Sequence, residues 1–162
     1  MILRGPALVC ATLGIDQATK SWALNDLWQR SPDGVALAPF LNLRLGFNSG
    51  ISFGLFAESA AEAPWLLVVF KVAVVVVLAL WLWRTRNPIE AVSLGAIMGG
   101  ALGNVADRIR YGAVVDFIDA HAVGLHWPTF NMADVFIVSG VTGLIWASLR
   151  TRPVGQRDVS ER

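Results

Sequence analysis

Asp16, Lys20, Asn104, Asp107, Arg108, Asp116, Asn131 and Asp134 are the residues here whose types and placement could do chemistry in an otherwise strongly apolar chain. Two carboxyl groups that face each other repel when both ionise. One then keeps its proton near neutral pH while the other acts as a base. Such a pair activates water against an amide carbonyl, and the protonated partner donates to the developing oxyanion. The pair titrates as a unit, so neither member has a fixed protonation state. Asp116 and Asp134 are the two carboxylates best placed for this role.

Each polar residue also has a plainer role. Asp16 and Lys20, one helical turn apart, can form a structural ion pair. Asp107 and Arg108 can form an ordinary interface pair. Asn131 and Asp134 fit a helix N-cap with an acidic third position. Asp116 and Asp119 can be loop carboxylates facing water. Lys71, seven residues into an apolar run, either snorkels outward or pairs with a carboxylate. Taken together, the plain roles require several costly placements to coincide at one depth. A shared site explains them at once.

Other chemistries are poorly supplied. Cys10 is the only cysteine, which excludes an intrachain disulfide and a cysteine-rich metal site. His121 and His126 lie in a turn-rich stretch without a nearby glutamate motif, so no zinc or other metal site is expected. A net charge of +1 leaves no electrostatic footprint for nucleic acid.

The elements that must position these residues are membrane spans. Only 15% of the 162 residues are charged, against about 25% in a soluble domain. A spanning helix needs about 20 mostly apolar residues. Four segments qualify, at about 5–24, 64–83, 91–109 and 132–149; Asp16, Gln17 and Lys20 make the first the weakest. Although Arg4 before an apolar run resembles a signal peptide, three further spans follow, and the first is read as retained. A buried ionisable group costs about 3 kcal/mol or more, so each needs a reason. At about 1.5 Å per residue, the polar groups of spans one, three and four reach one level near the outer interface.

Basic residues set the orientation. Arg4, then Arg84 and Arg86, then Arg150, Arg152, Arg157 and Arg162 flank the spans on one side, whereas residues 112–131 hold no Lys or Arg. Both termini are therefore expected in the cytoplasm. Trp22, Trp28, Trp65 and Trp127 fall at the outer interface, and Trp81, Trp83 and Trp146 at the inner one. In the outer connection, Leu41, Leu43, Leu45 and Phe47 alternate with Asn42, Arg44, Gly46 and Asn48, which predicts a strand. A second extended run is expected from Ile51, and Val114–Ile118 is a third. Phe56–Trp65 reads as a short interfacial helix. The expected fold is thus a membrane all-α bundle of four transmembrane helices with a small extracytoplasmic β-sheet and a short interfacial helix, the insert spanning about 36–63. Residues 1–150 form one membrane domain, and 151–162 a polar cytoplasmic tail. Gly95, Gly99 and Gly103, four apart, are expected to let neighbouring helices approach closely.

Five segments resemble lipoprotein signal peptidase, also called signal peptidase II, over nearly the whole chain. They are Asp16–Lys20 (DQATK), Asn48–Gly54 (NSGISFG), Gly99–Arg108 (GGALGNVADR), Val114–Ile118 (VVDFI) and Phe130–Asp134 (FNMAD). Each is weak alone, but five in the family's order are highly specific. The resemblance implies a multi-pass aspartyl endopeptidase of the bacterial cytoplasmic membrane, active near the outer leaflet. It implies removal of signal peptides from prolipoproteins, before a cysteine carrying a diacylglyceryl group. Asp116 and Asp134 match the family's catalytic aspartates. Asp16, Lys20, Asn48, Gly50, Asn104, Arg108 and Asn131 match positions that line or support the pocket, and Asp107 lies in the same cluster. No cofactor is expected. The implied partners are lipid-modified prolipoproteins, membrane lipids and globomycin-type inhibitors, and the implied state is a monomer. Val135 departs from the small hydroxyl residue often found after the last aspartate, and Lys71 is outside the pattern.

Three other readings compete. Buried Asp and Lys also suit a proton channel or transporter, but spans two and four offer no mid-membrane relay. A scaffold assembled through the glycine series leaves Asp116 and Asp134 without a task. A lipoprotein modified at Cys10 is disfavoured by Val9 before it.

Overall fold

The computed structural model describes residues 4–50 and 64–150. Four long helices carry the fold: α1 (Arg4–Trp22), α2 (Pro64–Arg84), α3 (Pro88–Tyr111) and α4 (Met132–Arg150). Strands β1 (Val35–Ala38), β2 (Leu41–Asn48), β3 (Val114–Ala122) and β4 (Leu125–His126) form one antiparallel sheet in the order β1-β2-β3-β4. The extended run expected from Ile51, most of the helix expected over Phe56–Trp65, and the tail 151–162 lie outside the described residues; Trp65 itself belongs to α2.

Among the described residues, three helices are long and apolar enough to cross a membrane: Trp65–Arg84, Pro88–Tyr111 and Met132–Arg150. α1 is not among them, because Asp16, Gln17 and Lys20 dilute its apolar character. The seven tryptophans of the chain all present exposed rings, as side chains facing lipid or headgroups would.

α3 is the central helix and packs against α1, α2 and α4. It starts where Asn87 caps it, its side chain accepting from Ile89 N–H at 2.9 Å, with Pro88 in the first turn. It ends at Gly112, whose φ of 73° suits a residue without a Cβ. The close approach comes from glycine. A Cβ on Gly95 would lie 2.6 Å from the Gly5 carbonyl oxygen of α1, and one on Gly100 would lie 2.5 Å from the Ala133 carbonyl oxygen of α4. A Cβ on Gly103 would collide with the Asp16 carboxylate. The expected small-residue seam is therefore real, and it faces α1.

α1 does not stop at its expected end. A π-helical turn, Ala23–Leu27, continues it, closed by the Trp28 N–H to the Ala23 carbonyl, and a further turn reaches Arg30. The wider turn places Ala23 and Leu27 together in a buried cluster with Phe117, against which Leu43, Leu45, Ile118 and Met132 pack. This cluster fastens the sheet to the helices. Inserted π turns of this kind re-aim a helix.

The alternation in β2 is interrupted. Leu43 pairs with Ile118, but Gly46 pairs with Asp116, so β2 carries one extra residue between them. That β-bulge overturns the strict period of two expected across Leu41–Asn48. Strands β1 and β4 were not anticipated from the sequence; β4 is only two residues long.

Candidate active site

The polar residues of α1, α3, β2, β3 and α4 meet in one connected network. Asp16 and Asn131 have no exposed surface, and Lys20, Asp107 and Asp116 keep 2% or less. Asn104, Arg108 and Asp119 are also buried.

Lys20 is the hub. Its Nζ lies 2.9 Å from Asp16 Oδ2 and 2.7 Å from Asp107 Oδ2, and donates to Asn104 Oδ1 at 2.9 Å. All three donors of the ammonium are thus used. A buried cation so satisfied holds its partners firmly, whereas removing one member would strand the rest. The expected Asp16–Lys20 pair is present. The alternative Asp107–Arg108 pair is not, because Asp107 turns to Lys20 and to the Val115 backbone N–H at 3.2 Å. Gln17 reinforces the group, donating to Asp107 Oδ1 at 3.0 Å and the Gly103 carbonyl at 3.2 Å. Gln17 was missed as a site residue. Its position beside Asp16 was the signal, but an amide at a helix surface carries no charge that demands a partner.

Asp16 also ends α4. Its Oδ1 accepts the Ala133 N–H at 2.8 Å, so a carboxylate of α1 satisfies a free amide in the first turn of another helix. Asn131 and Asp134 complete that helix start with a capping box. Asn131 Oδ1 accepts from Asp134 N–H, and Asp134 Oδ2 accepts from Asn131 N–H, each at 3.2 Å. The capping role expected for this pair is therefore present. It occupies only one oxygen of Asp134, whose Oδ1 accepts from Asn104 Nδ2 at 3.1 Å.

Asp116 sits in β3, not in a water-facing loop. Asn131 Nδ2 donates to its Oδ1 at 2.6 Å, and Asn48 Nδ2 to its Oδ2 at 3.2 Å. The bulge in β2 makes the second contact possible. Gly46 pairs with Asp116 and Asn48 with Val114, so alternate side chains put Asn48 and Asp116 on one face. Without the extra residue, Asn48 would point to the other side. Burial first, then the charge of Asp134, pushes the Asp116 carboxyl up to about 6; hydrogen bonds from Asn48 and Asn131, and the Lys20 charge, pull the other way.

Arg108 reaches the segment after β2. Its NH2 donates to the Gly50 carbonyl at 2.7 Å and its NH1 to the Ser49 carbonyl at 3.3 Å. Its Nε is buried with no partner among the described residues. Asn48 Oδ1 accepts the Gly50 N–H at 3.2 Å. Asn48, Gly50, Leu67, Lys71, Asn104, Arg108, Val114, Asp116 and Asp134 line one cavity of about 100 Å³. That volume accommodates a few water molecules. The sequence singled out six of these nine residues for the site. Val114 lay in a matched segment, whereas Leu67 and Lys71 of α2 were assigned no functional role.

The histidines lie elsewhere, on the β3–β4 pair at the edge of the sheet. His121 stacks on His126 with ring centroids 4.9 Å apart, and His126 Nδ1 lies 2.8 Å from Asp119 Oδ1. No group of three or more His, Cys, Asp or Glu placed to hold a metal ion occurs among the described residues.

A pair of carboxyls, Asp116 buried and Asp134 half-buried, joined through one asparagine and lining one small cavity, invites comparison with known enzymes. The family model described as Signal peptidase (SPase) II matches residues 8–150. The chain belongs to the signal peptidase II family. It is accordingly a signal peptidase, a hydrolase of the aspartic class, and a bacterial membrane protein. It is 45% identical over 151 residues to the lipoprotein signal peptidase of Methylorubrum extorquens (strain PA1), covering 92% of this chain and 87% of that one. It is 44% identical over 155 residues to the lipoprotein signal peptidase of Methylobacterium sp. (strain 4-46), covering 92% and 93%. Its fold is similar to that of a bacterial membrane enzyme solved by the in meso method at 2.3 Å, with a TM-score of 0.80 at 26% identity, covering 96% of this chain and 94% of that one.

Proposed function

We propose that this signal peptidase removes signal peptides from prolipoproteins by aspartate-pair hydrolysis, cleaving just before the diacylglyceryl-modified cysteine. The observation that carries the reading is the tether between the two carboxyls: Asn131 donates to Asp116 while its own backbone and side chain hold Asp134. Both carboxyls line the same cavity.

In this mechanism the pair shares one proton. The ionised member takes a proton from a water in the cavity, and the resulting hydroxide attacks the carbonyl carbon of the scissile amide. The protonated member donates to the carbonyl oxygen. Collapse of the tetrahedral adduct breaks the C–N bond, with a proton passing from the pair to the leaving amine. Asn48, Asn104 and Asn131 orient the carboxyls, and Arg108 holds the Ser49–Gly50 backbone beside them. Asp16, Lys20 and Asp107 lock α1 and α3 behind the pair. The chemistry calls for no metal or organic cofactor.

The molecule is read as a monomer with four spans, both termini in the cytoplasm and the sheet on the outer side. The α1 polar groups are covered by α3 and α4, which lets a weakly apolar helix serve as the fourth span. The cavity then lies near the outer leaflet, where the diacylglyceryl chains of the substrate stay in lipid. A globomycin-type cyclic peptide would compete for the same cavity.

The test uses purified enzyme with a lipidated precursor and its unlipidated twin. Asp116→Asn and Asp134→Asn should each lower turnover by at least about 100-fold while the protein stays folded. Only the lipidated precursor should be cut. Native turnover by both variants would end the mechanism; equal cleavage of the twin would end the substrate assignment.

A further inference from the structure

Lys71 is the one charged residue of the cavity wall that the reading above leaves idle. It is the sole charged residue between Trp65 and Trp83, in a segment otherwise made of apolar side chains. Its face of α2 is not the lipid face. Leu67 and Lys71 both line the cavity, and Val75, one turn on, is buried against Met98 and Ala101 of α3. Phe70 and Val72, on either side, are exposed. An ammonium on the bundle face of a spanning helix needs a counter-charge, because lipid supplies none.

The counter-charge across the cavity is the aspartate pair. The charged or titratable groups facing Lys71 are Asp116 from β3, Asp134 from α4 and Arg108 from α3, with Lys20 of α1 farther back. Arg108 is occupied by the Ser49 and Gly50 carbonyls, and Lys20 by Asp16, Asp107 and Asn104. No carboxylate of the described residues lies within ion-pair distance of Lys71. The ammonium therefore faces the pair across open space, not in contact with it.

We propose that Lys71 is a positioning residue of the hydrolytic reaction, its ammonium facing Asp116 and Asp134 across the cavity and setting the pH window in which they hold a single proton. A cation there favours the charged states of both carboxyls, so it moves the whole window to lower pH. This rests on the aspartate-pair reading and adds to it a third ionisable group, on a different helix. Because the ammonium acts through the pair, its effect appears in the pH profile more than in substrate affinity.

The experiment compares kcat/KM against pH for the full-length enzyme and for Lys71→Met, Lys71→Gln and Lys71→Arg, on a lipidated precursor. Thermal unfolding of each variant identifies those that are folded. The uncharged variants should shift both limbs of the profile upward by about one pH unit, and Lys71→Arg should return them to the native position. Lys71→Gln keeps a polar head, so it tests the charge even should the methionine variant fail to fold. Superimposable profiles for a folded uncharged variant and the native enzyme overturn the inference, as does an equal shift in Lys71→Arg. Asp116→Asn and Asp134→Asn are assayed alongside. Their retained turnover would sink the aspartate-pair reading itself; their inactivity with an unchanged Lys71→Met profile sinks only the role of Lys71.

Discussion

Asp116 pays for its placement with stability. Its carboxyl is pushed from an ordinary value of 3.8 up to about 6, chiefly by burial. A group raised in the folded state contributes stability that is fully present below about 3.8 and is lost as pH rises through about 6. The gap corresponds to roughly 3 kcal/mol. Asp116→Asn cannot ionise, so its melting temperature relative to the native enzyme should climb as pH is raised from 4 to 7. Thermal unfolding in detergent across that range checks it, and a difference independent of pH would refute it. Asp134 needs a different caution. Its Oδ2 belongs to the capping box, so Asp134→Ala would remove a helix cap together with a carboxylate. Asp134→Asn keeps an acceptor and isolates the charge. At this scale the sequence was informative about charge and poor about geometry. A buried acid or base inside an apolar chain announces itself, as Asp16, Lys20 and Asp107 do. What each one touches was not legible: nothing in the sequence said that Asp16 would close the start of α4, or that Gln17 would join it.

At the scale of elements, two local irregularities assemble the site. The bulge in β2 brings Asn48 to the face of Asp116, and the π turn after α1 docks that sheet on the helices. Neither was legible, because both insert one residue into a period that the side-chain pattern continues across. Leu41–Phe47 reads as an unbroken alternation, and backbone hydrogen bonding, not hydrophobicity, decides where it slips. The glycine seam was legible, since Gly95, Gly99 and Gly103 recur at helical spacing and nothing else explains them. Its consequence is local and measurable. Gly103→Ala would drive a methyl into the Asp16 carboxylate and disturb the Lys20 hub, whereas Gly14→Ala meets nothing within 4 Å. Gly103→Ala should therefore lose about 1–3 kcal/mol of stability together with activity, and Gly14→Ala should lose neither. Parallel unfolding and cleavage assays decide it; equal behaviour of the two would remove the seam from the account.

At the scale of the molecule, composition identified a membrane protein, and the distribution of Arg residues suggested which way it faces. Orientation can be read chemically. In a Cys10→Ala background, Val123→Cys at the β3–β4 hairpin tip and Thr85→Cys between α2 and α3 lie at opposite ends of the chain's spans. A membrane-impermeant maleimide should label the first in intact spheroplasts and the second only after lysis. Labelling of both from one side would discard the proposed topology.

The polar trio of α1 has a consequence for how the protein is made. Asp16, Gln17 and Lys20 find their partners on α3 and at the start of α4, which emerge from the ribosome long after α1. Until then Asp16 and Lys20 have only each other and Gln17 as protein partners, and each charge left in hydrocarbon costs roughly 3 kcal/mol. On the four-span reading, α1 is a passenger during synthesis. It should take its final depth in the bilayer only when α3 arrives to shield it.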